Sequence, residues 1–385
     1  MLEGECGGAI DTGYTLGRHG GLPVRGVIIA GGLGTRLRPL TLHRPKPLLP
    51  VANRAFLEYQ VAQLKSAGAE EIVFAANYLA DRIESHFGDG SRFGVRMRYA
   101  VEKEPLGTAG AIRNAVEGLA PMRAIVFNGD ILTDFDIGAL VQIHSERQAQ
   151  VSLTLHRVRR PHPYGVIQIA NDGRVLAFIE PSEQQKRAAD RGEPMEEEDF
   201  INAGIYIIEP ETLTRIPLRP CSIEREFYPQ ILAEGVPVYG AVGHGFWLDI
   251  GRPAQYQQAT RALLRGEVRT ALPPGGACTP FGYYVDGEAR IAPDAEIEAG
   301  SLIGANATIE SKVKIGGYTV IGANTTIGAG TTLQGCILGQ GVQVGESCHL
   351  VDCILDDAVV IESHGRLHGA VLGAGSVLRA YSVAE

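Results

Sequence analysis

The sequence predicts an α/β domain built on a mostly parallel sheet, followed by a C-terminal coil of hexapeptide repeats. Two observations support this fold class. From Val24 to Asn128, short apolar runs alternate with helical segments, and such alternation is typical of parallel strands joined by helices. Beyond residue 280, aliphatic residues recur every six positions, a period that neither a helix nor a plain strand has.

The first domain is expected to span residues 23–266. After a first strand that begins at Val24, helices are predicted at 56–67, 79–87, 108–119, 137–149 and 254–264, and strands at 71–76, 95–100, 124–128, 151–158, 165–170 and 201–208. This order predicts a Rossmann-like sheet with helices on both faces. Ligands of such sheets bind beyond the carboxyl ends of the strands, where Gly31–Arg38 and Asn128–Asp130 both fall. The charged stretch 182–199 is interpreted as a solvated loop or helix, with a lid over the site as the alternative.

The repeat domain is expected at residues 281–385, after a linker at 267–280 that contains Pro273, Pro274, Gly275 and Gly276. One strand on each face of a triangular coil explains the period, with the aliphatic residue stacked inside and a small residue at the corner. The aliphatic positions are Ile291, Ile297, Ile303, Ile309, Ile315, Ile321, Ile327 and Leu333. Residues 1–22, which are rich in glycine and lack apolar periodicity, are interpreted as a leader without a packed core.

Composition restricts the classes of ligand. The net charge of −9 argues against a nucleic-acid or anionic-membrane partner and favours small phosphorylated ligands bound by local cations. No apolar run approaches the roughly 18 residues of a spanning helix, so no membrane partner is expected and a cytoplasmic location is the default. The six cysteines lack zinc-site spacing and are interpreted as reduced thiols.

The segment from Val24 to Pro50 carries the strongest functional signal, and it reads VRGVIIAGGLGTRLRPLTLHRPKPLLP. Glycines at the end of a buried strand let backbone N–H groups approach an anion, and Arg36 and Lys46 follow them. The loop is neither G-x-G-x-x-G, since the third glycine is absent, nor a P-loop. Pro45 and Pro47 stiffen the backbone on either side of Lys46.

These residues resemble the sugar-1-phosphate nucleotidyltransferases, also called nucleoside-diphosphate-sugar pyrophosphorylases. GGLGTRLRPLT and PKPLLPV look like that family's signature, and further motifs follow in family order: EPLGTAG at 104–110, NGD at 128–130, YGVI at 164–167, NAG at 202–204 and WLDIG at 247–251. FNGDIL, INAGIYI and FWLDIGRP look most like the mannose-1-phosphate guanylyltransferase branch. The repeat domain resembles the left-handed β-helix that many members carry.

The resemblance implies transfer of a nucleoside monophosphate, with GTP the best guess for the donor, to mannose 1-phosphate or a related manno/heptose sugar phosphate, with release of pyrophosphate. It gives catalytic roles to Arg36 and Lys46 and a shared Mg²⁺ to Asp130 and Asp249. The nucleotide is expected to contact Ala30, Gly31, Gly32, Gly34, Thr35, Gly107, Thr108, Asn128 and Gly129. The sugar pocket is expected to contain Tyr164, Gly165, Glu180 and Asn202.

One departure from the family pattern leaves alternatives open. Family members usually read F-x-E-K-P, with a lysine that pairs with the sugar phosphate, whereas this chain reads Phe178-Ile179-Glu180-Pro181. Candidates to replace the lysine are Arg159, Arg160, Lys186 and Arg187.

The alternative functions are a non-catalytic regulatory subunit that binds nucleotide-sugar, and a glucose-1-phosphate nucleotidyltransferase that uses dTTP or UTP. A third alternative, acyl transfer by the repeat domain through His349, His364 or His368, has no supporting motif. A homo-oligomer assembled through the repeat domain is expected.

Overall fold

The computed structural model describes residues 23–180, 183, 187 and 197–384. The leader expected at 1–22 and most of the charged stretch expected at 182–199 lie outside these residues. The described chain divides into two compact units. The sheet unit comprises residues 23–32 and 60–248, and the coil unit comprises residues 33–59 and 249–384. The domain boundaries expected from the sequence stay a prediction.

Strands and helices alternate from Val24 to Leu264. The strands are β1 Val24–Ile29, β2 Pro50–Val51, β3 Arg54–Ala55, β4 Ala69–Ala76, β5 Arg96–Val101, β6 Arg123–Asn128, β7 Ile131–Thr133, β8 Val151–Arg159, β9 Val166–Ile169, β10 Val175–Ile179, β11 Glu198–Ile208, β12 Val238–Val242 and β13 Trp247–Asp249. The α-helices are α1 Phe56–Ser66, α2 Ala80–Phe87, α3 Gly107–Val116, α4 Ile137–Glu146, α5 Pro210–Arg215, α6 Tyr228–Ala233 and α7 Pro253–Leu264. Short 3-10 helices lie at Thr35–Leu37, Lys46–Leu48 and Ser91–Phe93, and a π-helix lies at Ile223–Phe227.

The sheet unit is organised around a nine-stranded sheet in the order β10-β9-β11-β6-β1-β4-β5, with β8 pairing to β11 and to β12. Strands β6, β1, β4 and β5 are parallel. Val27 and Ile28 in β1 are both fully buried, and because adjacent strand residues point to opposite faces, both faces of the sheet are covered. This confirms the predicted α/β class.

Beyond β6 the sheet changes direction. Strand β11 runs antiparallel to β6, β8 and β9, and β9 pairs with β10 as an antiparallel hairpin. Only a few residues join β9 to β10, which suits a hairpin, whereas a parallel pair needs a longer crossover. The run of parallel strands β5-β4-β1-β6 therefore ends at β6, next to the strand that carries Asn202, and a second parallel pair, β8 with β12, lies beyond β11.

The repeat region of the coil unit is a parallel β-helix. Its strands are β14 Ala277–Cys278, β15 Tyr284–Val285, β16 Arg290–Ile291, β17 Glu296–Ile297, β18 Leu302–Ile303, β19 Thr308–Ile309, β20 Lys314–Gly316, β21 Val320–Ile321, β22 Thr326–Ile327, β23 Thr332–Gln334, β24 Ile337–Leu338, β25 Gln343–Val344, β26 His349–Val351, β27 Ile354–Leu355, β28 Val360–Ile361, β29 Arg366–His368, β30 Val371–Leu372, β31 Val377–Leu378 and β32 Val383–Ala384. They form three sheets, and every pairing from β15 onward is parallel.

The stacking explains the six-residue period. Ile303 pairs with Ile321 in the next coil, and Ile321 pairs with Leu338 in the coil after that. These aliphatic residues are buried, and so are the small residues Ser301, Ala307 and Thr319 at the neighbouring positions. The predicted coil with an aliphatic interior is confirmed, while its left-handed sense stays a prediction.

The cysteines differ from the interpretation in one respect. Cys221, Cys336, Cys348 and Cys353 are buried free thiols, as expected, but Cys278 is disulfide-bonded. The interpretation of every cysteine as a reduced thiol was therefore wrong for Cys278, because the spacing of cysteines along the chain does not show whether two of them come within bonding distance. Within the described ranges, no helix is long and apolar enough to cross a membrane.

Candidate active site

The glycines that follow β1 leave free space at the end of the strand. The N–H of Ala30 donates to the carbonyl oxygen of Ala75 at 2.8 Å, which continues the sheet for one residue. A methyl group on Gly31 would make only ordinary contact with Asn77, and one on Gly32 would meet no protein atom within 4 Å. Packing within the protein does not require glycine at residue 32, so a ligand can use the space that a side chain would occupy there.

Gly34 belongs to the coil unit, and there the fold itself requires glycine. Its φ is +60°, and a Cβ would lie 3.1 Å from the Lys46 Cβ and from the Thr41 Cγ2. The Thr41 hydroxyl donates to the Gly34 carbonyl oxygen at 2.9 Å. The turn leads into the 3-10 helix Thr35–Leu37, in which Leu37 is buried and Arg36 is exposed. The buried leucine fixes the turn, and Arg36 is left on its open side.

Lys46 and Asp249 form an ion pair inside the coil unit. Lys46 is 9% exposed, and its Nζ lies 3.8 Å from the Asp249 Oδ1. The 3-10 helix Lys46–Leu48 begins after Pro45, and both Pro45 and Pro47 are buried. Because a buried ammonium group is costly without a partner, the carboxylate stabilises the lysine in this position.

Arg36 approaches the same region. A Cβ on Gly251 would lie 2.9 Å from the Arg36 Nη2, so glycine two residues after Asp249 makes room for the guanidinium group. The coil unit therefore brings together Arg36, Lys46 and Asp249, although Asp249 lies far from the two cations in the sequence. Two cations beside one carboxylate suit a phosphate-rich ligand.

Asp130 lies in the sheet unit, directly after β6. The N–H of Gly129 donates to the Ile29 carbonyl oxygen at 2.9 Å, and a Cβ on Gly129 would come within 2.5 Å of the same oxygen. Gly129 therefore lets the ends of β1 and β6 approach closely. As expected, Asn128, Gly129 and Asp130 stand at the carboxyl edge of the parallel strands, beside Ala30 and Gly31.

Gly107 and Thr108 are used by the fold. Gly107 has a φ of +69°, and a Cβ there would lie 2.7 Å from the Cys221 carbonyl oxygen. The Thr108 hydroxyl accepts a hydrogen bond from the Ile223 N–H at 2.8 Å. These contacts attach the start of α3 to the segment 221–223, so a structural role stands beside the predicted nucleotide contact.

Among the predicted sugar residues, Tyr164 and Gly165 directly precede β9, Glu180 directly follows β10, and Asn202 lies in β11. Tyr164 packs edge-to-face on Trp247 with ring centroids 5.7 Å apart, and the Trp247 indole N–H donates to the Ala203 carbonyl oxygen at 2.9 Å. A Cβ on Gly165 would meet only the Ile179 carbonyl oxygen, at 3.5 Å. An aromatic wall beside an uncrowded glycine suits a pyranose ring.

Asn202 and Glu180 contact two residues that the sequence reasoning missed. The Asn202 amide donates to the Tyr206 hydroxyl at 2.8 Å and to Glu224, while its oxygen accepts from the Gly204 N–H at 2.9 Å. Burial raises the pKa of Glu224. Glu180 pairs with Arg225, Nη2 to Oε2, at 3.2 Å. The π-helix Ile223–Phe227 carries both new residues, and π-helical turns are frequent at functional sites.

A local signal for this segment does exist. Glu224, Arg225 and Glu226 are three charges set between the apolar residues Ile223 and Phe227, a pattern that a solvated loop does not need.

Of the candidates to replace the absent lysine, Arg160 is bound to Asp199 at 2.6 and 2.7 Å and also to Glu197. Arg159 and Arg187 are exposed, and Lys186 lies outside the described residues. Arg225 is therefore a further cation beside the predicted sugar pocket.

The two predicted metal ligands, Asp130 and Asp249, have the donor chemistry that Mg²⁺ prefers. No group of three or more histidine, cysteine, aspartate or glutamate side chains suited to a metal occurs among the residues that the structure describes. Asp130 and Asp249 are single carboxylates on different units. Magnesium commonly takes one or two protein carboxylates and completes its shell with water and phosphate oxygens, so these residues fit Mg²⁺ by their chemistry.

Fold and site together define an α/β protein whose strand ends carry an open glycine loop and whose coil unit holds cations suited to phosphate. Residues 25–266 match the family model described as nucleotidyl transferase, and residues 282–372 match the model described as the GMPPB C-terminal domain. The chain therefore belongs to the nucleotidyl transferase family, as its motifs predicted. It is an enzyme of the sugar-1-phosphate nucleotidyltransferase class.

Individual relatives point to one branch of that class. A mannose-1-phosphate guanylyltransferase of Mycobacterium tuberculosis is 35% identical over 88% of this chain and 82% of its own length. A probable mannose-1-phosphate guanylyltransferase 2 of Arabidopsis thaliana is 35% identical over 74% of this chain and 76% of its own. Among solved structures, HddC from Yersinia pseudotuberculosis has a TM-score of 0.51 and 28% identity, covering 61% of this chain and 97% of that one. A second HddC structure, complexed with GMP-PN, has a TM-score of 0.50 and 27% identity over the same shares of the two chains.

Two alanine substitutions distinguish the glycine that leaves space for a ligand, Gly32, from the glycine that the fold requires, Gly34. Gly32→Ala should change the free energy of unfolding by less than about 0.5 kcal/mol, since a methyl group there meets no protein atom, yet it should weaken nucleotide binding. Gly34→Ala should cost about 1 kcal/mol or more of stability, because its φ is positive and Lys46 lies close. Thermal melting and calorimetric titration with GTP would measure both. Equal losses of stability would contradict this account of the loop.

Proposed function

We propose that this chain transfers GMP from GTP to mannose 1-phosphate, or to a related manno- or heptose sugar 1-phosphate, and releases pyrophosphate. The observation that carries the proposal is the grouping of Arg36, Lys46 and Asp249 in one unit of a nucleotidyl transferase. The base and sugar are supported by the names of the relatives, which are mannose-1-phosphate guanylyltransferases. The HddC structure that contains GMP-PN also supports a guanine nucleotide.

In the proposed reaction, an oxygen of the sugar phosphate attacks the α-phosphorus of GTP. A new P–O bond forms on one side of that phosphorus, and the bond to the bridging oxygen of the β-phosphate breaks on the other, so that pyrophosphate leaves with the electron pair. Both reactants are anions. The chain's main tasks are therefore to hold them in line and to offset the charge on the attacking and leaving oxygens.

Arg36 and Lys46 divide the cationic work. Arg36 is exposed on the open side of its turn, which suits contact with the β- and γ-phosphates and with the charge that develops on pyrophosphate. Lys46 is buried and fixed between two prolines, which suits a point charge shared by the α-phosphate and the sugar phosphate. Because the ammonium is held before ligands bind, little reorganisation is needed when the reaction begins.

Asp130 and Asp249 would hold the proposed Mg²⁺. The ion, when bound, supplies positive charge that neutralises phosphate oxygens and orients them. Asp249 pairs with Lys46, and Asp130 follows Gly129, where the backbones of β1 and β6 approach closely. In the proposed sugar pocket, Tyr164 and Gly165 contact the ring, and Glu180 and Asn202 accept hydrogen bonds from its hydroxyl groups.

Pyrophosphate release measured over a matrix of substrates tests the proposal. GTP, dTTP, UTP, CTP and ATP are each combined with mannose, glucose and heptose 1-phosphates in the presence of Mg²⁺, and GTP with a manno-configured sugar should give the highest kcat/KM. A preference for dTTP or UTP with glucose 1-phosphate would overturn the substrate assignment. No turnover in any combination, with GDP-mannose still bound, would favour a regulatory subunit.

The same assay tests the metal assignment through two variants. Asp130→Asn and Asp249→Asn should each lower kcat/KM by roughly 100-fold or more, since each removes a charge proposed to hold the metal. Asp172→Asn is the matched control: Asp172 is an exposed turn residue that accepts from the Arg174 N–H at 3.0 Å and pairs with the Arg174 guanidinium at 3.2 Å, and an asparagine oxygen can still accept the backbone bond. Unchanged turnover in either test variant would contradict the assignment.

We also propose that the chain forms a homo-oligomer through the β-helix. Val377, Tyr381 and Val383 in the last coil are 53%, 73% and 72% exposed, and open strand edges with apolar residues favour pairing between copies. Light scattering of the full chain should give a mass above the 41.1 kDa of one copy, and Val383→Glu should reduce it. An oligomer that Val383→Glu leaves intact would exclude this surface. The cytoplasmic location stays a prediction.

A further inference from the structure

An ion pair joins the signature loop to a corner of the β-helix within the coil unit. Arg44, two residues before Lys46, donates through Nη2 to the carboxylate of Asp357, and its Nη1 lies 3.9 Å from the Asp356 Oδ1. The side chain of Arg44 is 25% exposed and that of Asp356 is 10% exposed. The two residues are 313 positions apart in the sequence, so only the tertiary structure brings them together.

The corner that receives Arg44 is itself fixed. Residues 356–357 follow β27, and the Asp357 carboxylate accepts a hydrogen bond from the Gln340 N–H at 2.9 Å, one coil earlier. Its Oδ1 lies so close to the previous coil that a Cβ on Gly339 would come within 2.6 Å of it. The anchoring carboxylate is therefore held by two successive coils and has little freedom to follow a moving loop.

Two hydrogen bonds hold the other end of the loop, one to the β-helix and one to α7. The Asn53 amide donates to the Ile321 carbonyl oxygen at 3.0 Å, and the Tyr256 hydroxyl donates to the carbonyl oxygen of Pro50. Between these points, apolar residues of the loop and of the coil line a common small cleft: Leu40, Leu49, Ile337, Ile354 and Leu355. Lys46 thus lies in a segment attached to the β-helix on both sides.

We propose that the β-helix is a positioning element of the active site and that the Arg44–Asp357 pair sets the position of Lys46. The inference rests on the function proposed above, in which the Lys46 ammonium contacts both phosphate groups. Arg44 and Asp357 touch no reacting atom and act through the loop. A misplacement of about 1 Å can cost about 100-fold in rate. Loss of the Arg44–Asp357 pair should therefore have a large effect on catalysis, through the position of Lys46, and a small effect on stability.

The same coil supplies a matched control. Arg261 in α7 pairs with Asp352, which also stands at a corner of the β-helix, and the Gln257 amide donates to the Asp352 carbonyl oxygen at 2.6 Å. This pair attaches α7, which contacts the signature loop at Pro50 through Tyr256. Arg261 and Asp352 pair with each other and not with Arg44, which precedes Lys46 by two residues. The Arg261–Asp352 pair has the same chemistry, a comparable exposure of the arginine and the same partner domain.

The test compares Asp357→Asn with Asp352→Asn in the full-length chain. Asp357→Asn should lower kcat for GTP and mannose 1-phosphate by about 10- to 100-fold with a smaller change in KM, and Asp352→Asn should leave kcat within about twofold. Melting temperatures should fall by no more than about 3 °C in both. Arg44→Gln should behave like Asp357→Asn, and Arg44→Lys, which keeps a cation, should recover part of kcat.

Hydrogen exchange supplies a readout that does not depend on turnover. The amides of residues 46–50 should exchange faster in Asp357→Asn and at the wild-type rate in Asp352→Asn, with or without GTP. Equal losses of kcat in the two variants, or unchanged exchange and kcat in Asp357→Asn, would overturn the proposal. If the wild-type chain shows no turnover, the proposed function fails while the exchange experiment still decides whether Asp357 holds the loop.

Discussion

The ion pair between Lys46 and Asp249 is the interaction on which the rest of the site depends. An ammonium group that is 9% exposed is tolerated only beside a compensating charge, and the carboxylate 3.8 Å away supplies it. Pro45 and Pro47 restrict the backbone around the lysine, and Gly34 gives its stem the room it needs. A buried charge pair of this kind contributes little net stability, so its presence is better explained by the chemistry proposed for it.

The coil unit adds rigidity where the chemistry requires it. A parallel β-helix has an interior of stacked aliphatic side chains, as in Ile303, Ile321 and Leu338, and its successive coils are hydrogen-bonded through short parallel strands in three sheets. A loop that is bound to such a surface at several points has restricted motion. The glycine loop at Gly31 and Gly32, in contrast, is open and carries no packing function of its own. The loop of the coil unit is thus fixed before a ligand binds, and the glycines of the sheet unit leave space for one.

Sequence periodicity predicted much of this arrangement. The six-residue spacing of isoleucines identified the β-helix because an aliphatic residue must return to the interior once per face. The apolar runs of β1, β4 and β6 identified the parallel strands because both faces of these strands are buried. Strands β10 and β12 were missed because each is a run of five residues without clear alternation of apolar and polar side chains, although the turn residues Asn171, Asp172 and Gly173 precede β10. The π-helix at Ile223–Phe227 was missed as well.

The sequence motifs also identified candidate residues, and the fold unites three of them, Arg36, Lys46 and Asp249. What no local pattern contained were contacts between distant positions. The bond from Asn202 to Glu224, the pair of Glu180 with Arg225 and the pair of Arg44 with Asp357 each depend on tertiary structure. The prediction of a reduced thiol was wrong for Cys278, which is disulfide-bonded, because disulfide formation also depends on the tertiary structure. Periodicity reports which face of an element is buried, whereas pairing of polar side chains is decided only when elements meet.

A double-mutant cycle on Lys46 and Asp249 tests the central claim most directly. Thermal unfolding is measured without nucleotide or Mg²⁺ for Lys46→Met, Asp249→Asn and the double variant. Each single substitution leaves one buried charge without its partner, so each should lower the melting temperature, and the double variant should melt higher than the less stable single variant. If the two decreases simply add in the double variant, the residues do not act as a pair, and the account of a site built on their interaction is wrong.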